Sequence, residues 1–322
     1  MSALPRVLTT MELPDHARAR LARVCEVVMV AAANVPDRIA EAEGLLCPAP
    51  FPVGPELLDR APKLRVVSNF GVGFNNVDVP DLTRRGIAVC NTPGVLSDCV
   101  ADLTMGLILT ASRQIVANAA HVSSGRWSFG FPGPGLGFDV GGKTLGLVGY
   151  GRIGRATARR ARAFNMNIVF HDVYQDAGDD LARYRSLDAL LAESDVVSVH
   201  TNLTPETTHL IGARELALMK PSAWLINTAR GPVVDESALA AALHAGSIAG
   251  AALDVLEVEP PPKEAPILTA PNVIILPHIG SATTETRAAM LELCLDNLAA
   301  VISRKRPPEC VNPEALERAL TR

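Results

Sequence analysis

Three glycines in the stretch KTLGLVGYGRIGRA, Lys143 to Ala156, have the spacing of a turn that could hold a charged group. Gly149-Tyr150-Gly151-Arg152-Ile153-Gly154 follows an apolar, strand-like run and opens a helix-like one. Glycine at the first position permits a sharp turn. At the second it lets backbone N–H groups approach a pyrophosphate, and at the third it lets the helix pack closely on the strand. The helix N-terminus then aims unpaired donors and a partial positive charge at the phosphates. The next strand-like run ends in Phe170-His171-Asp172, with Asp172 eighteen positions after Gly154. A carboxylate there accepts hydrogen bonds from an adenosine ribose and repels a 2′-phosphate. No arginine follows, since Val173-Tyr174-Gln175-Asp176 come next. The two features together favour NAD over NADP. The plain alternative is a glycine turn with a surface aspartate at a strand end. Arg155, Arg159 and Arg162 lie at helical spacing opposite Ile153, Thr157, Ala161 and Phe164, and read as a solvated helix face rather than a nucleic-acid patch.

A dinucleotide site calls for a hydride partner and an acid–base group. Three downstream segments supply candidates: Asn227 to Gly231 (NTARG), Leu253 to Pro260 (LDVLEVEP) and Leu276 to Ser281 (LPHIGS). Each follows a strand-like run, and open α/β sheets bind ligands at the carboxyl ends of their strands.

The elements that would position these residues alternate between β-branched runs and alanine-rich or charged amphipathic segments, which predicts parallel sheets covered by helices. Strands are expected near Arg6–Thr9, Glu26–Val30, Gly44–Leu46, Arg65–Ser68 and Ile87–Val89, with helices such as Asp15–Val24 and Glu56–Arg60 between them. A second series has strands at Leu145–Val148, Asn167–His171, Val196–His200, Trp224–Asn227, Gly250–Leu253 and Val273–Leu276. Its helices are Ile153–Phe164, Ser186–Glu193, Ala213–Leu218 and Glu236–Ala245. Ser123 to Gly142 is rich in glycine and proline and reads as a long connecting arm. A last helix, about Thr284 to Ser303, follows the second sheet. If it returns to cover the first layer, the chain crosses twice and a cleft lies between two domains.

At 322 residues the chain has room for two such domains. A net charge of −4 gives no excess basicity for nucleic acid or an anionic membrane. The six cysteines contain no C-x-x-C pair, which argues against a zinc cage or a disulfide framework and suits a reducing cytosol. The N-terminal residues do not read as a signal peptide. No run approaches the roughly 20 apolar residues of a spanning helix. Val100 to Thr110, which carries Asp102, reads as a buried helix.

NTARG, the D-x-x-x-x-E-P pattern of Asp254 to Pro260, and PHIGSAT from Pro277 resemble the D-isomer-specific 2-hydroxyacid dehydrogenase family. VVSNFGVGFNNVD (Val66 to Asp78) and NTPGVLSDCVADL (Asn91 to Leu103) are similar to the same family. The match covers nearly the whole chain, in order. SNFGVG and PHIGSAT bring it closest to the glyoxylate and hydroxypyruvate reductase branch. The resemblance implies two doubly wound parallel-sheet α/β domains. These are a flavodoxin-like substrate domain, residues 1–97 plus 285–322, and a Rossmann NAD-binding domain, residues 98–284. It implies a small 2-keto or 2-hydroxy acid as substrate, a cytoplasmic enzyme and a homodimer, with Trp127–Phe131 of a neighbour near the pocket.

The resemblance also implies that Arg230, Glu259 and His278 are the catalytic set, and the physical chemistry of these side chains agrees. Arg230 can bind the substrate carboxylate or polarise the keto oxygen with its planar fork of donors. His278 as imidazolium can give that oxygen a proton as hydride reaches the carbon. Glu259, hydrogen-bonded to the ring, would raise the histidine pKa and fix its orientation. The N–H groups of Val72 and Gly73 would cradle the substrate carboxylate, with Asn69 and Ser281 shaping the pocket. By the same resemblance Arg152 and Ile153 lie under the phosphates, and Thr104, Thr228, Ala229 and Asp254 on the nicotinamide side. Thr201 is on the adenine side, where the family often shows proline at the position of Asn202. Glu257, two residues from Glu259, reads as a solvated carboxylate.

Two other readings fit the same chain. One is a 3-phosphoglycerate dehydrogenase without a regulatory domain, although no extra basic cluster is evident for a phosphate. The other is a nucleotide-sensing corepressor that binds NAD without turnover. Formate dehydrogenase is disfavoured, because that enzyme carries glutamine where Glu259 stands.

Overall fold

A computed structural model describes residues 4–129, 133–174 and 177–322. It divides into two compact units, Met1–Leu96 with Thr283–Arg322, and Ser97–Ala282.

The first unit opens with β1 (Arg6–Thr9), α1 (Asp15–Leu21), β2 (Glu26–Met29), α2 (Val35–Arg38), β3 (Gly44–Pro48), α3 (Pro55–Leu58), β4 (Val66–Phe70), α4 (Val79–Arg85) and β5 (Ala88–Cys90). The strands are all parallel, in the order β2-β1-β3-β4-β5. This is the flavodoxin-like doubly wound order. Alternate residues serve opposite faces, as the two-residue period of a strand requires. Leu8, Leu45, Val67 and Val89 pack on one side, and Val7, Leu46, Val66 and Ala88 on the other. Helix ends are set by local chemistry. Asp78 caps α4 by accepting from the Asp81 N–H, and Gly86 ends it at φ +69°.

The second unit comprises α5 (Ser97–Arg113), α6 (Ile115–Ser123), β6 (Thr144–Val148), α7 (Arg152–Ala163), β7 (Asn167–His171), β8 (Arg183–Tyr184), α8 (Leu187–Glu193), β9 (Val196–Val199), α9 (Ala213–Leu218), β10 (Trp224–Asn227), α10 (Glu236–His244), β11 (Gly250–Leu253) and β12 (Val273–Ile275). Its seven strands are parallel, in the order β12-β11-β10-β9-β6-β7-β8. This is the Rossmann order extended by one strand, and it reverses between β6 and β9. One face packs α5 and α7 through Met105, Ile108, Ala158 and Ala161, and the other packs α8 to α10 through Leu190, Leu216 and Leu239. Buried α5 contains the expected Val100–Thr110 helix. Among the described residues no single helix is long and apolar enough to cross a membrane.

The chain then returns to the first unit through α11 (Thr284–Ile302) and α12 (Leu316–Thr321). Cys294, Leu295, Leu298 and Val301 of α11 cover the Val7/Leu46/Val66 face. Arg65, expected to begin a strand, is instead a buried cap. Its guanidinium donates to the Val301, Ile302 and Ala319 carbonyls and to Glu43, satisfying orphan groups at the end of α11.

Two local expectations are corrected, and one strand is added. The strand expected to reach His200 stops at Val199. Phe164, grouped with Ile153, Thr157 and Ala161 on the helix face opposite the arginines, lies beyond the last turn of α7 and is 41% exposed. The edge strand β8, two residues long, carries no readable period. Gly130 and Phe131 of the proposed neighbour segment, and Gln175 and Asp176 after Asp172, lie outside the described residues.

Candidate active site

Two of the three glycines of the β6–α7 turn have a steric reason of their own. Gly149 sits at φ +98°, and a Cβ there would lie 2.7 Å from the His200 carbonyl carbon. At Gly154 a Cβ would lie 2.4 Å from the Gly149 oxygen, so the helix approaches the turn closely. A Cβ on Gly151 would meet nothing within 4 Å. Bareness there leaves space rather than relieving a clash. Gly151 is also the N-cap of α7 and offers no side-chain cap, so the first-turn N–H groups of Arg152 and Ile153 keep their capacity for an anion. A pyrophosphate fits this cradle.

Asp172 follows β7, and its carboxylate is held from both sides. Oδ2 accepts from the Tyr150 N–H at 2.7 Å and Oδ1 from the Tyr174 N–H at 2.8 Å. Thr201 follows β9 and is half-buried. The hydroxyls of Thr104 on α5 and Thr228 after β10 are 3.0 Å apart and buried.

Arg230 lies in the loop after β10. Asn227 shapes that loop by accepting from the Ala229 N–H and donating to the Arg230 carbonyl, both at 3.0 Å. Arg230 donates to the Ala229 carbonyl at 2.7 Å. Burial pushes its guanidinium pKa down, and the charge of Glu259 opposes that shift. Gly231 then passes against the loop after β11, where a Cβ would fall 1.9 Å from the Leu256 oxygen. That approach needs glycine and brings the loops of Arg230 and Glu259 together.

Glu259 Oε2 lies 2.7 Å from His278 Nδ1, and its Oε1 accepts from the Leu256 N–H at 3.0 Å. Burial raises the Glu259 pKa, but the His278 hydrogen bond and charge, the Leu256 N–H and Arg230 outweigh it and hold the carboxyl below its ordinary value. The ring's Nδ1 faces the carboxylate, so Nε2 is the nitrogen presented outward. His278 adopts φ +55°, an uncommon backbone for a non-glycine residue. Asp254 maintains it. The buried carboxylate accepts from the Ile279 and Gly280 N–H groups, each at 2.7 Å, while its own carbonyl accepts from the His278 N–H at 2.9 Å. Burial raises the Asp254 pKa against those two bonds. Half-buried Ser281 follows this turn.

In the first unit, Asn69 near the end of β4 donates to the Gly73 carbonyl at 2.8 Å, while Asn91 donates to the Val72 carbonyl at 2.7 Å. With both carbonyls tied back, the Val72 and Gly73 N–H groups have no partner among the described residues. Such a loop suits a small anion.

The model of the D-isomer specific 2-hydroxyacid dehydrogenase NAD binding domain matches residues 105–280. The chain belongs to this family. It is 43% identical to the glyoxylate reductase of Thermofilum pendens, covering 98% of this chain and 96% of that one. It is 45% identical to glyoxylate/hydroxypyruvate reductase B of Erwinia tasmaniensis, covering 96% and 99%. The crystal structure of an NADPH-dependent glyoxylate/hydroxypyruvate reductase from Sinorhizobium meliloti, in complex with NADP and malonate, superposes with a TM-score of 0.88. It is 38% identical and covers 97% of this chain and 98% of that one.

As a 2-hydroxyacid dehydrogenase the chain is an oxidoreductase with a nicotinamide-dinucleotide fold, and the second unit gathers Arg230, Glu259 and His278 at the carboxyl ends of its strands. Sequence reasoning named Asp254 for the nicotinamide side but missed the positioning roles of Asp254, Asn227 and Asn91. Asp254 anchors the His278 turn, Asn227 shapes the Arg230 loop and Asn91 ties back Val72. Asparagines at or just after strand ends were the available signal for Asn227 and Asn91, because their side chains replace missing backbone partners. Two surface assignments are corrected. Glu257 accepts from the Glu236 N–H at 3.0 Å and pairs with His209 at 2.9 Å. Arg155 pairs with Asp179 at 2.9 Å.

Proposed function

We propose that the protein is an NAD(H)-dependent reductase of small 2-keto acids, with glyoxylate and hydroxypyruvate as its first substrates. The observation that carries this reading is the 2.7 Å contact of Glu259 with His278 Nδ1, which leaves Nε2 outward beside the Arg230 loop. The bound dinucleotide supplies the hydride to the keto carbon. His278 delivers a proton from Nε2 to the keto oxygen, and Glu259 fixes the ring and stabilises its charge. Arg230 takes the carboxylate or the developing oxyanion. The Val72 and Gly73 N–H groups are assigned the substrate carboxylate, which makes the first unit the substrate-binding one. Arg152 and Ile153 are assigned the pyrophosphate, Asp172 the ribose hydroxyls, Thr201 the adenine edge, and Thr104, Thr228, Ala229 and Asp254 the nicotinamide edge. Asn69 and Ser281 shape the acid pocket.

The segment after α5 supports a homodimer. Ile115, Val116 and Val122 on α6 and Trp127, Phe129 and Leu136 beyond it are all exposed, an apolar stretch that a second copy would cover.

A panel of 2-keto acids with NADH and NADPH in parallel, followed by absorbance, tests the reading. Turnover of glyoxylate and hydroxypyruvate with NADH supports it, and no turnover of any 2-keto acid contradicts it. Sedimentation at micromolar concentration tests the dimer.

A further inference from the structure

We propose that Tyr150, Asp179 and Arg155 form a positioning clamp that makes this chain prefer a free ribose 2′-hydroxyl to a 2′-phosphate. The inference rests on the NAD reading above and extends it to residues that need not touch the nucleotide.

In this fold a 2′-phosphate is accepted when the carboxylate after the second strand yields and a nearby arginine pairs with the phosphate. Here one set of contacts blocks both routes. Asp172 is held through the Tyr150 and Tyr174 N–H groups, so its negative charge stays in place. The Tyr150 backbone is in turn held by its side chain. The ring is 2% exposed and stacks on Phe170 of β7, with centroids 4.1 Å apart and planes 16° from parallel. The hydroxyl donates to Asp179 at 3.0 Å. Tyr150 therefore holds two carboxylates, Asp172 through its N–H and Asp179 through its hydroxyl.

The second route needs a cation, and Arg155 in the first turn of α7 is the candidate. Its Nη1 pairs with Asp179 at 2.9 Å, and its guanidinium lies 4.5 Å from the centre of the Tyr150 ring. Asp179 is built to stay charged. Burial raises its pKa, but the Leu181 and Ala182 N–H groups, the Tyr150 hydroxyl and Arg155 together keep it below the ordinary value. Burial and the Asp179 bond push the Tyr150 hydroxyl up to about 12, so it remains a donor at neutral pH. The glycine spacing drew attention to what stands at Gly149, Gly151 and Gly154. The intervening tyrosine carries the second half of the selectivity.

NADH and NADPH binding to the intact protein, titrated separately by fluorescence, tests the clamp without requiring turnover. Asp179→Asn should narrow the NADH-over-NADPH preference by about tenfold, which is about 1.4 kcal/mol. Its NADPH affinity should rise in absolute terms as Arg155 loses the Asp179 charge, and adding Arg155→Gln should remove that rise. Tyr150→Phe keeps the stacked ring and should narrow the preference less, so it serves if Asp179→Asn does not fold. Equal weakening of both nucleotides, or an unchanged ratio in both variants, overturns the clamp while leaving the dehydrogenase reading intact. A wild-type protein that binds NADPH as well as NADH contradicts the NAD preference itself, and the clamp with it.

Discussion

The loop after β11 sends out two glutamates, Glu257 and Glu259, and each meets a histidine. Glu257 pairs with His209 at 2.9 Å and Glu259 with His278 at 2.7 Å. Both histidines have a left-handed backbone, at φ +53° and +55°. The chemistry of the two pairs is the same, but their geometry differs. His209 gives Nε2 to its glutamate, so the outer nitrogen of the ring is spent. His278 gives Nδ1 and keeps Nε2 outward. Glu257 also accepts from the Glu236 N–H, and the Glu236 carboxylate accepts from the Glu257 N–H, which makes that pair a brace between loops. Glu259 instead feels Arg230, and Asp254 locks its histidine's turn. A histidine–carboxylate pair becomes an acid–base device only when the outer nitrogen is available and a cation stands by for the substrate's charge.

The most severe way to break the contrast is to remove each ring. His278→Ala should lower kcat for glyoxylate by about 10²- to 10⁴-fold, the range of a lost general acid, whereas His209→Ala should stay within about twofold. Steady-state NADH oxidation compares them directly. Gly231→Ala forces a methyl group into the Leu256 carbonyl, and should cost about 3 kcal/mol of stability in denaturant unfolding. It should impair both pairs, because both depend on that approach.

The glutamates sharpen the comparison in smaller steps. Glu259→Gln should reduce kcat by roughly 10- to 100-fold and Glu257→Gln by no more than about twofold, with the ring contact rather than the charge count deciding. A pH series adds a sign. The Glu259 carboxyl is held below its ordinary value, so its stabilising contribution is complete above that value, about pH 4.3, and fades as pH falls through the lowered one. The thermal midpoints of wild type and Glu259→Gln should therefore differ at pH 7 and converge as the pH falls through that lowered value. A milder loss than at His278 is expected for Asp254→Asn. Its amide can still accept one of the two N–H groups, so kcat should fall by about tenfold with NADH affinity retained.

Much of this was legible in the sequence, for physical reasons that differ by residue. Gly149 and Gly154 could be read because their steric demands are local, and a Cβ at either would meet backbone atoms within 3 Å. The strands from Asn167–His171 to Gly250–Leu253 could be read because buried parallel strands are short, continuous apolar runs. The two-residue β8 could not, having no period to detect. The Glu257 engagement was hidden because His209 and Glu236 lie far from it in the chain. The same holds for Asp179 and Tyr150, 29 residues apart. Phe164 misled because helical spacing continues on paper past the residue where α7 ends.

The central claim is that His278, held by Glu259 and the Asp254 turn, delivers the proton in keto-acid reduction. The most direct test measures glyoxylate-dependent NADH oxidation by His278→Ala alongside its NADH affinity. The predicted result is a kcat loss of at least about 100-fold with NADH binding unchanged. A variant that reduces glyoxylate at the wild-type rate contradicts the account.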